Sequence, residues 1–295
     1  MTKIISGTHS KKLATQLSKN LKLSLVEAFV DHFEDEEIRI QLASGIHRED
    51  VLIVQSTSKP VNDHLMELLL LADTAKRLGA RRIKALVPYL GYSRQDQPFS
   101  SFGPISAQLV ATLIEAAGID YLITLDLHSQ QTKKFFKIDV QNIETTTLFT
   151  KILNDSVNLI IVSPDKGGKD RANKLSNSLG VNFAVMNKMR KSHNICQMDG
   201  MIGDVIGKHC VLLDDIIDTG QTLCKAAEFL MQHGALSVEA MVTHAVLSRR
   251  AIENIEESVI KKITVTNSIE QAYLSNKFKV IDIAPLLTDG LCDLL

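Results

Sequence analysis

At 295 residues the chain is long enough for two domains of ordinary size, and 45% apolar residues supply enough material for buried cores. A formal charge of −1, from 33 basic and 34 acidic residues, argues against a nucleic-acid surface. The four cysteines, Cys196, Cys210, Cys224 and Cys292, lie far apart without a Cys-x-x-Cys, which excludes a zinc ribbon or a redox pair. The opening residues, Met-Thr-Lys-Ile-Ile-Ser-Gly-Thr, form too short an apolar run for a signal peptide, and no stretch reaches transmembrane length. A cytoplasmic protein with no membrane partner is expected.

Strand-like and helical patterns alternate along the chain. Residues 51–55 predict a strand, 62–78 a long helix, 83–88 a strand and 105–117 a helix. Further strands are predicted at 121–125, 159–163 and 210–213, the last two on either side of helical patterns. Gly79, Gly118, Gly180 and Gly234 each follow a helical stretch, where a left-handed closing residue is wanted. This rhythm predicts an α/β fold with mostly parallel sheets flanked by helices. Residues 51–56 (Val-Leu-Ile-Val-Gln-Ser) and 159–164 (Leu-Ile-Ile-Val-Ser-Pro) echo one another, each leading through a loop into a helix that ends in glycine. Two similar halves follow from this reading, 1–147 and 148–295, with room for the final residues to pack back on the first.

Four polar segments stand after strands or in irregular sequence. Residues 88–96 (Pro-Tyr-Leu-Gly-Tyr-Ser-Arg-Gln-Asp) follow the 83–88 strand, where open α/β sheets bind ligands. Arg94 there suits a phosphate or a base, or a plain surface turn. Residues 125–132 (Leu-Asp-Leu-His-Ser-Gln-Gln-Thr) place His128 just past a strand, as a metal ligand or a structural histidine. Residues 163–171 (Ser-Pro-Asp-Lys-Gly-Gly-Lys-Asp-Arg) put Asp165 before a Gly-Gly turn whose amides suit a phosphate, in a place like that of His128. Residues 187–190 (Asn-Lys-Met-Arg) precede a polar stretch, 191–200, that reads as neither strand nor helix. Loops of that kind, carrying Lys and Arg, close over phosphates.

The most specific stretch is 211–222, Val-Leu-Leu-Asp-Asp-Ile-Ile-Asp-Thr-Gly-Gln-Thr. An apolar strand runs into Asp214 and Asp215. Asp218 then opens a small-residue turn of Thr219, Gly220, Gln221 and Thr222. A helix follows, with Leu223, Ala226, Ala227, Leu230 and Met231 at helical spacing. A tight turn into a helix N-terminus is an anion site, because backbone amides and the helix dipole converge there. The acids would repel a phosphate, so they suit sugar hydroxyls or Mg²⁺.

Taken together, and nearly end to end, these segments resemble the ribose-phosphate pyrophosphokinases. The chain carries that family's Pro-Tyr-x-x-Tyr-x-Arg-Gln-Asp, its Asp-Leu-His with a following Phe-Phe at 135–136, its Ser-Pro-Asp-x-Gly-Gly, its Lys-x-Arg and its sugar-phosphate loop, in the same order. Residues 33–37 (Phe-Glu-Asp-Glu-Glu) look like the family's Phe-x-Asp-Gly-Glu, with Glu36 in place of the usual glycine. Gln221 likewise replaces a common second glycine of the sugar loop, and Gln97-Pro98 replaces a cation after Arg-Gln-Asp.

The resemblance implies two phosphoribosyltransferase-like domains and an enzyme that transfers the diphosphate of ATP to the C1 hydroxyl of ribose 5-phosphate. It implies that Arg94, Gln95 and Asp96 contact ATP, with Phe33, Asp35 and Glu37 completing the adenine site from a neighbouring subunit of a homo-oligomer, dimer or hexamer. It further implies that His128 and Asp165 hold Mg²⁺ and that Lys188 and Arg190 are catalytic. Asp214, Asp215, Asp218, Thr219, Gly220, Gln221 and Thr222 would then bind ribose 5-phosphate. A plain phosphoribosyltransferase would share the last loop but not the segments of the first half.

Overall fold

The computed structural model describes residues 2–43, 45–153, 157–192, 195–292 and 294–295. The chain forms two compact units: Met1–Ile143 with Ser268–Glu270 and Ile283–Leu295, and Glu144–Asn267 with Gln271–Asp282.

The first unit begins with β1 (Thr2–Ser6), α1 (Lys11–Leu21) and β2 (Ser24–Val26). A ribbon of β3 (Ala28–His32) and β4 (Ile38–Leu42) follows, then β5 (Asp50–Val54), α2 (Val61–Arg77), β6 (Arg82–Val87), α3 (Ser106–Ala116), β7 (Tyr121–Leu125) and β8 (Asp139–Ile143). Its main sheet has the order β2-β1-β5-β6-β7-β8, parallel throughout, and the β3–β4 ribbon is antiparallel. Every residue of β5 is buried. That is why residues 51–54 read as an unbroken apolar run: a parallel strand covered on both faces has no solvent side to mark with polar residues. Ile5, Ile53, Leu68, Leu71 and Ile114 pack the core between sheet and helices.

The second unit contains α4 (Thr146–Leu153), β9 (Leu159–Ser163), α5 (Lys169–Leu179), β10 (Asn182–Ser192), β11 (Ile195–Ile202), β12 (His209–Ile217) and α6 (Gln221–Gln232). It continues with β13 (Ser237–Ala245), α7 (Ala251–Glu256), β14 (Ile263–Thr266) and β15 (Phe278–Ile281). The sheet order is β11-β10-β9-β12-β13-β14-β15, parallel except for the antiparallel β10–β11 pair. Val162, Leu212, Leu230, Val242 and Ile263 lie in its core. Cys210 and Cys224 are buried free thiols, and burial pushes the Cys210 thiol up to about 11, as expected of small core residues. The last helix, α8 (Ala284–Leu291), belongs to the first unit, where Asn20 donates to the Thr288 hydroxyl at 3.1 Å.

The predicted strands and helices all occur, each within a residue or two of its expected ends except the 210–213 strand. That strand extends through both acids to Ile217, because β13 beside it pairs Asp214 with Val242 and Ile217 with Ala245. Of the polar stretch 191–200, residues 191–192 end β10 and 195–200 lie in β11, which pairs antiparallel with β10. The two-half echo is out of register. By sheet order β9 corresponds to β1, and β5 corresponds to β12. His128, after β7, therefore has its counterpart after β14 and not at Asp165, which follows β9. Two apolar runs resemble each other because both are buried strands, whatever their place in the sheet.

Candidate functional site

Each sheet has one place where the winding reverses: between β1 and β5 in the first unit, between β9 and β12 in the second. Neighbouring connections leave the sheet on opposite faces there, and ligands collect beyond the carboxyl ends of the strands at such points.

In the second unit this crevice holds the acidic turn. Asp215 is buried and Asp214 half-buried. Arg171, on the first half of α5, reaches across: its Nη1 lies 3.2 Å from Asp215 Oδ1 and 3.8 Å from Asp214 Oδ1. Burial, then the like charge of Asp215, raises the Asp214 carboxyl well above the usual carboxylate range, against the pull of Arg171. Arg171 closes the 163–171 segment, where its sequence context assigns it no role. Its partners lie 44 residues away in the chain, and nothing local signals them.

Gly220 takes a left-handed backbone, φ 75° and ψ −16°, and hands the chain to α6. A side chain there would sit 3.3 Å from Ile255 Cγ1 and 3.4 Å from the Ala251 carbonyl, so both conformation and space call for glycine. Gln221, the departure from the family's second glycine, is already the first residue of α6 and needs no special conformation. The first turn of α6 therefore presents its amides and positive dipole end beside Asp218 and Thr219. Such a turn suits a phosphate, and the acid pair beside it suits hydroxyls.

Asp165 stands after β9. Its Oδ1 accepts from the amides of Gly167 (2.9 Å) and Gly168 (3.2 Å), and Ser163 donates to its carbonyl at 2.7 Å. This corrects one expectation. The Gly-Gly amides serve the Asp165 side chain and are not turned toward a phosphate. Asp165 lies close enough to the acid pair to raise Asp214 further. Lys188 and Arg190 lie in β10, with backbone register to Met198 and Cys196; their side chains fall outside the described residues.

In the first unit, the loops after the neighbouring strands β6 and β7 carry Arg94 and His128, both exposed. Gln95 is tied down: its Oε1 accepts from Ser106 Oγ at 2.6 Å, and its carbonyl from the Ala107 amide at 3.2 Å. Asp96 is half-buried. Phe135 and Phe136 pack on the core of this unit.

The first unit's own reversal point is filled. Buried Glu67 accepts from both the amide and the hydroxyl of Thr8 at 2.6 Å each, and Gln55 Oε1 accepts from the His9 amide at 3.2 Å. A carboxylate of the chain itself thus takes the strand-end donors that an anion would need.

Phe33, Asp35 and Glu37 form the turn of the β3–β4 ribbon. The Glu36 amide donates to the Phe33 carbonyl, the Phe33 amide to the Glu37 carbonyl, both at 2.9 Å, and Asp35 Oδ1 accepts from the Glu37 amide at 3.3 Å. The Phe33 ring is half exposed, with the Arg39 guanidinium 5.4 Å from its centroid. Glu36 has φ 70°, the left-handed region in which a Cβ is strained. Glu36→Gly is therefore expected to stabilise the protein by about 0.5–1 kcal/mol, the roughly 1–2 kcal/mol of relief less the flexibility that glycine brings to the unfolded chain. Urea unfolding of both forms measures it, and a loss of stability would contradict this account of the turn.

The chain as a whole is similar to known proteins of one family. Residues 2–118 match the model of the N-terminal domain of ribose phosphate pyrophosphokinase, and 200–294 that of a phosphoribosyl synthetase-associated domain. The ribose-phosphate pyrophosphokinase of Helicobacter hepaticus is 42% identical over 97% of this chain and 94% of its own length. That of Campylobacter jejuni is 43% identical, with the same shares covered. The crystal structure of phosphoribosylpyrophosphate synthetase from Mycobacterium smegmatis superposes with a TM-score of 0.92 at 33% identity, covering 98% of this chain and 97% of that one.

Proposed function

We propose a division of labour among these residues from one premise: the chain belongs to the ribose-phosphate pyrophosphokinase family. It is an enzyme of nucleotide biosynthesis that makes 5-phosphoribosyl 1-diphosphate from ATP and ribose 5-phosphate, with AMP leaving. The observation that carries the assignment of residues is the Asp214–Asp215 pair, held by Arg171 and followed by the Gly220 turn into α6.

Ribose 5-phosphate sits with its phosphate on the turn from Asp218 to Thr222 and its hydroxyls toward Asp214 and Asp215. ATP is bound by Arg94, Gln95 and Asp96. Positioning the C1 hydroxyl in line with the β-phosphorus, and neutralising the phosphate oxygens, do most of the work in a reaction of this kind. Lys188 and Arg190 answer the charge that builds on the bridging oxygen as AMP departs.

As a member of this family the enzyme is metal-dependent, and Mg²⁺ is the ion we assign. Asp165 offers the hard oxygen that Mg²⁺ prefers, and a site shared with substrate phosphates needs few protein ligands. The ion would supply neutralisation of the ATP phosphates. No helix among the described residues is long and apolar enough to cross a membrane. A cytoplasmic location is part of this proposal.

AMP release measured with both substrates, and with each omitted, tests the function. Release that needs only one of them would overturn it.

The active form is a homo-oligomer, a dimer or a hexamer, in which the exposed Phe33 ring completes the adenine site of a neighbour with Asp35 and Glu37. Stacking of a base on an aromatic ring is worth about 1–3 kcal/mol. Phe33→Ala is thus expected to raise the KM for ATP roughly tenfold, one decade within that range, and to leave that for ribose 5-phosphate unchanged. Steady-state kinetics decide this, and a fully active monomer in sedimentation would refute it.

A further inference from the structure

We infer that Ser248 is a positioning residue of the sugar-phosphate site, setting the orientation of Asp218; the inference rests on the assignment of 214–222 to ribose 5-phosphate. The Ser248 hydroxyl donates to Asp218 Oδ1. Its amide donates to the Asp218 carbonyl at 3.0 Å, and the Leu247 amide to the Ile217 carbonyl at 3.1 Å. Two successive main-chain bonds thus register the segment after β13 against the end of β12.

The same segment continues under the turn. Asn254 Nδ2 donates to the Thr219 carbonyl at 2.9 Å, and Ala251 and Ile255 close the space beneath Gly220. Leu247 and Arg249 on either side of Ser248 hold left-handed backbone, φ 49° and 56°. Neither is glycine, so each conformation is costly and persists only where its surroundings impose it.

The chemistry gives this brace a purpose. Asp218 opens a turn suited to a phosphate, and a carboxylate free to rotate there could fold onto the turn's own amides, as Asp165 does with Gly167 and Gly168, and compete with the anion for them. The Ser248 hydroxyl donating to Oδ1 holds the carboxylate in one rotamer, oriented away from that competition. The anchor lies 30 residues from Asp218 in the chain, on a segment that contributes none of the loop's own residues.

Steady-state kinetics on Ser248→Ala, Ser248→Thr, Asp218→Asn and the Ser248→Ala/Asp218→Asn double variant test this. Loss of a hydrogen bond to a charged group predicts a KM for ribose 5-phosphate about tenfold higher in Ser248→Ala. The turnover number and the KM for ATP should stay within about twofold, because each reports on other residues. Ser248→Thr keeps the hydroxyl and should retain near-normal KM. In the Asp218→Asn background, Ser248→Ala should add less than about twofold, since residues acting as one unit are not additive. An unchanged KM in Ser248→Ala, or an effect that persists undiminished without the Asp218 charge, would overturn the role of Ser248. A normal KM in Asp218→Asn would instead remove Asp218 from the sugar-phosphate site, and Ser248 with it. A loss in Asp218→Asn beside a silent Ser248→Ala would sink the Ser248 inference alone.

Discussion

Lys188→Ala is expected to lower turnover by about 10²–10³ while leaving ribose 5-phosphate affinity close to normal. A fixed cation aimed at charge that appears only in the transition state is worth that much, because it acts on the developing charge and not on the bound ground state. Lys188 belongs to β10, next to β9 at the second unit's reversal point, whereas the 218–222 turn follows β12. Its removal should leave the turn intact. Turnover and KM for both substrates, with equilibrium binding of ribose 5-phosphate, separate the two effects. Near-normal turnover would take Lys188 out of the mechanism. A matching loss of sugar-phosphate binding would make it a ground-state contact.

Arg171→Ala is expected to cost about 1–3 kcal/mol of stability at neutral pH, and to raise the KM for ribose 5-phosphate. Removing the cation from a fully buried ion pair costs about 3–5 kcal/mol. The Arg171 side chain is 20% exposed and that of Asp214 21%, so solvent screens part of this and the lower figure applies.

The pH dependence has a definite sign. The folded Asp214 carboxyl lies well above its usual value. Its favourable contribution is therefore complete below the unfolded carboxylate pKa, near 3.9, and is lost as pH rises through the raised folded value. Without Arg171 the carboxyl is raised further, so the penalty grows at neutral pH and shrinks on acidification. Urea unfolding of both forms at pH 7.5 and pH 4.5 reads the difference directly. A gap between the two forms that does not narrow at the lower pH would mean that Arg171 acts through packing and not through the acid pair.

The strand, turn and helix of 210–231 are legible in the sequence because their signals are local. An apolar run, a glycine at a left-handed position and apolar residues at helical spacing are properties of neighbours in the chain. The same holds for the strands and helices of the first half after residue 50, and for the glycines that close helices: Gly180 ends α5 with φ 66°. The family likeness is legible for the same reason, since it rests on short motifs in a fixed order.

What tertiary structure alone decides are pairings between distant residues. β11 carries polar residues and no clear period, and becomes a strand because β10 pairs with it along its length. Strand preference reflects neighbours across the sheet more than the chain itself. The extension of β12 through Asp214 to Ile217 follows likewise from β13. Which strand of one unit matches which of the other is set by sheet order, and two buried strands look alike wherever they lie. The charge balance of the site depends on Arg171 meeting residues 44 positions away, and the first unit's crevice is filled because Glu67 reaches Thr8 across 59 positions. A charged side chain carries no mark of its partner in its own sequence context; only the folded chain brings the two within hydrogen-bonding distance.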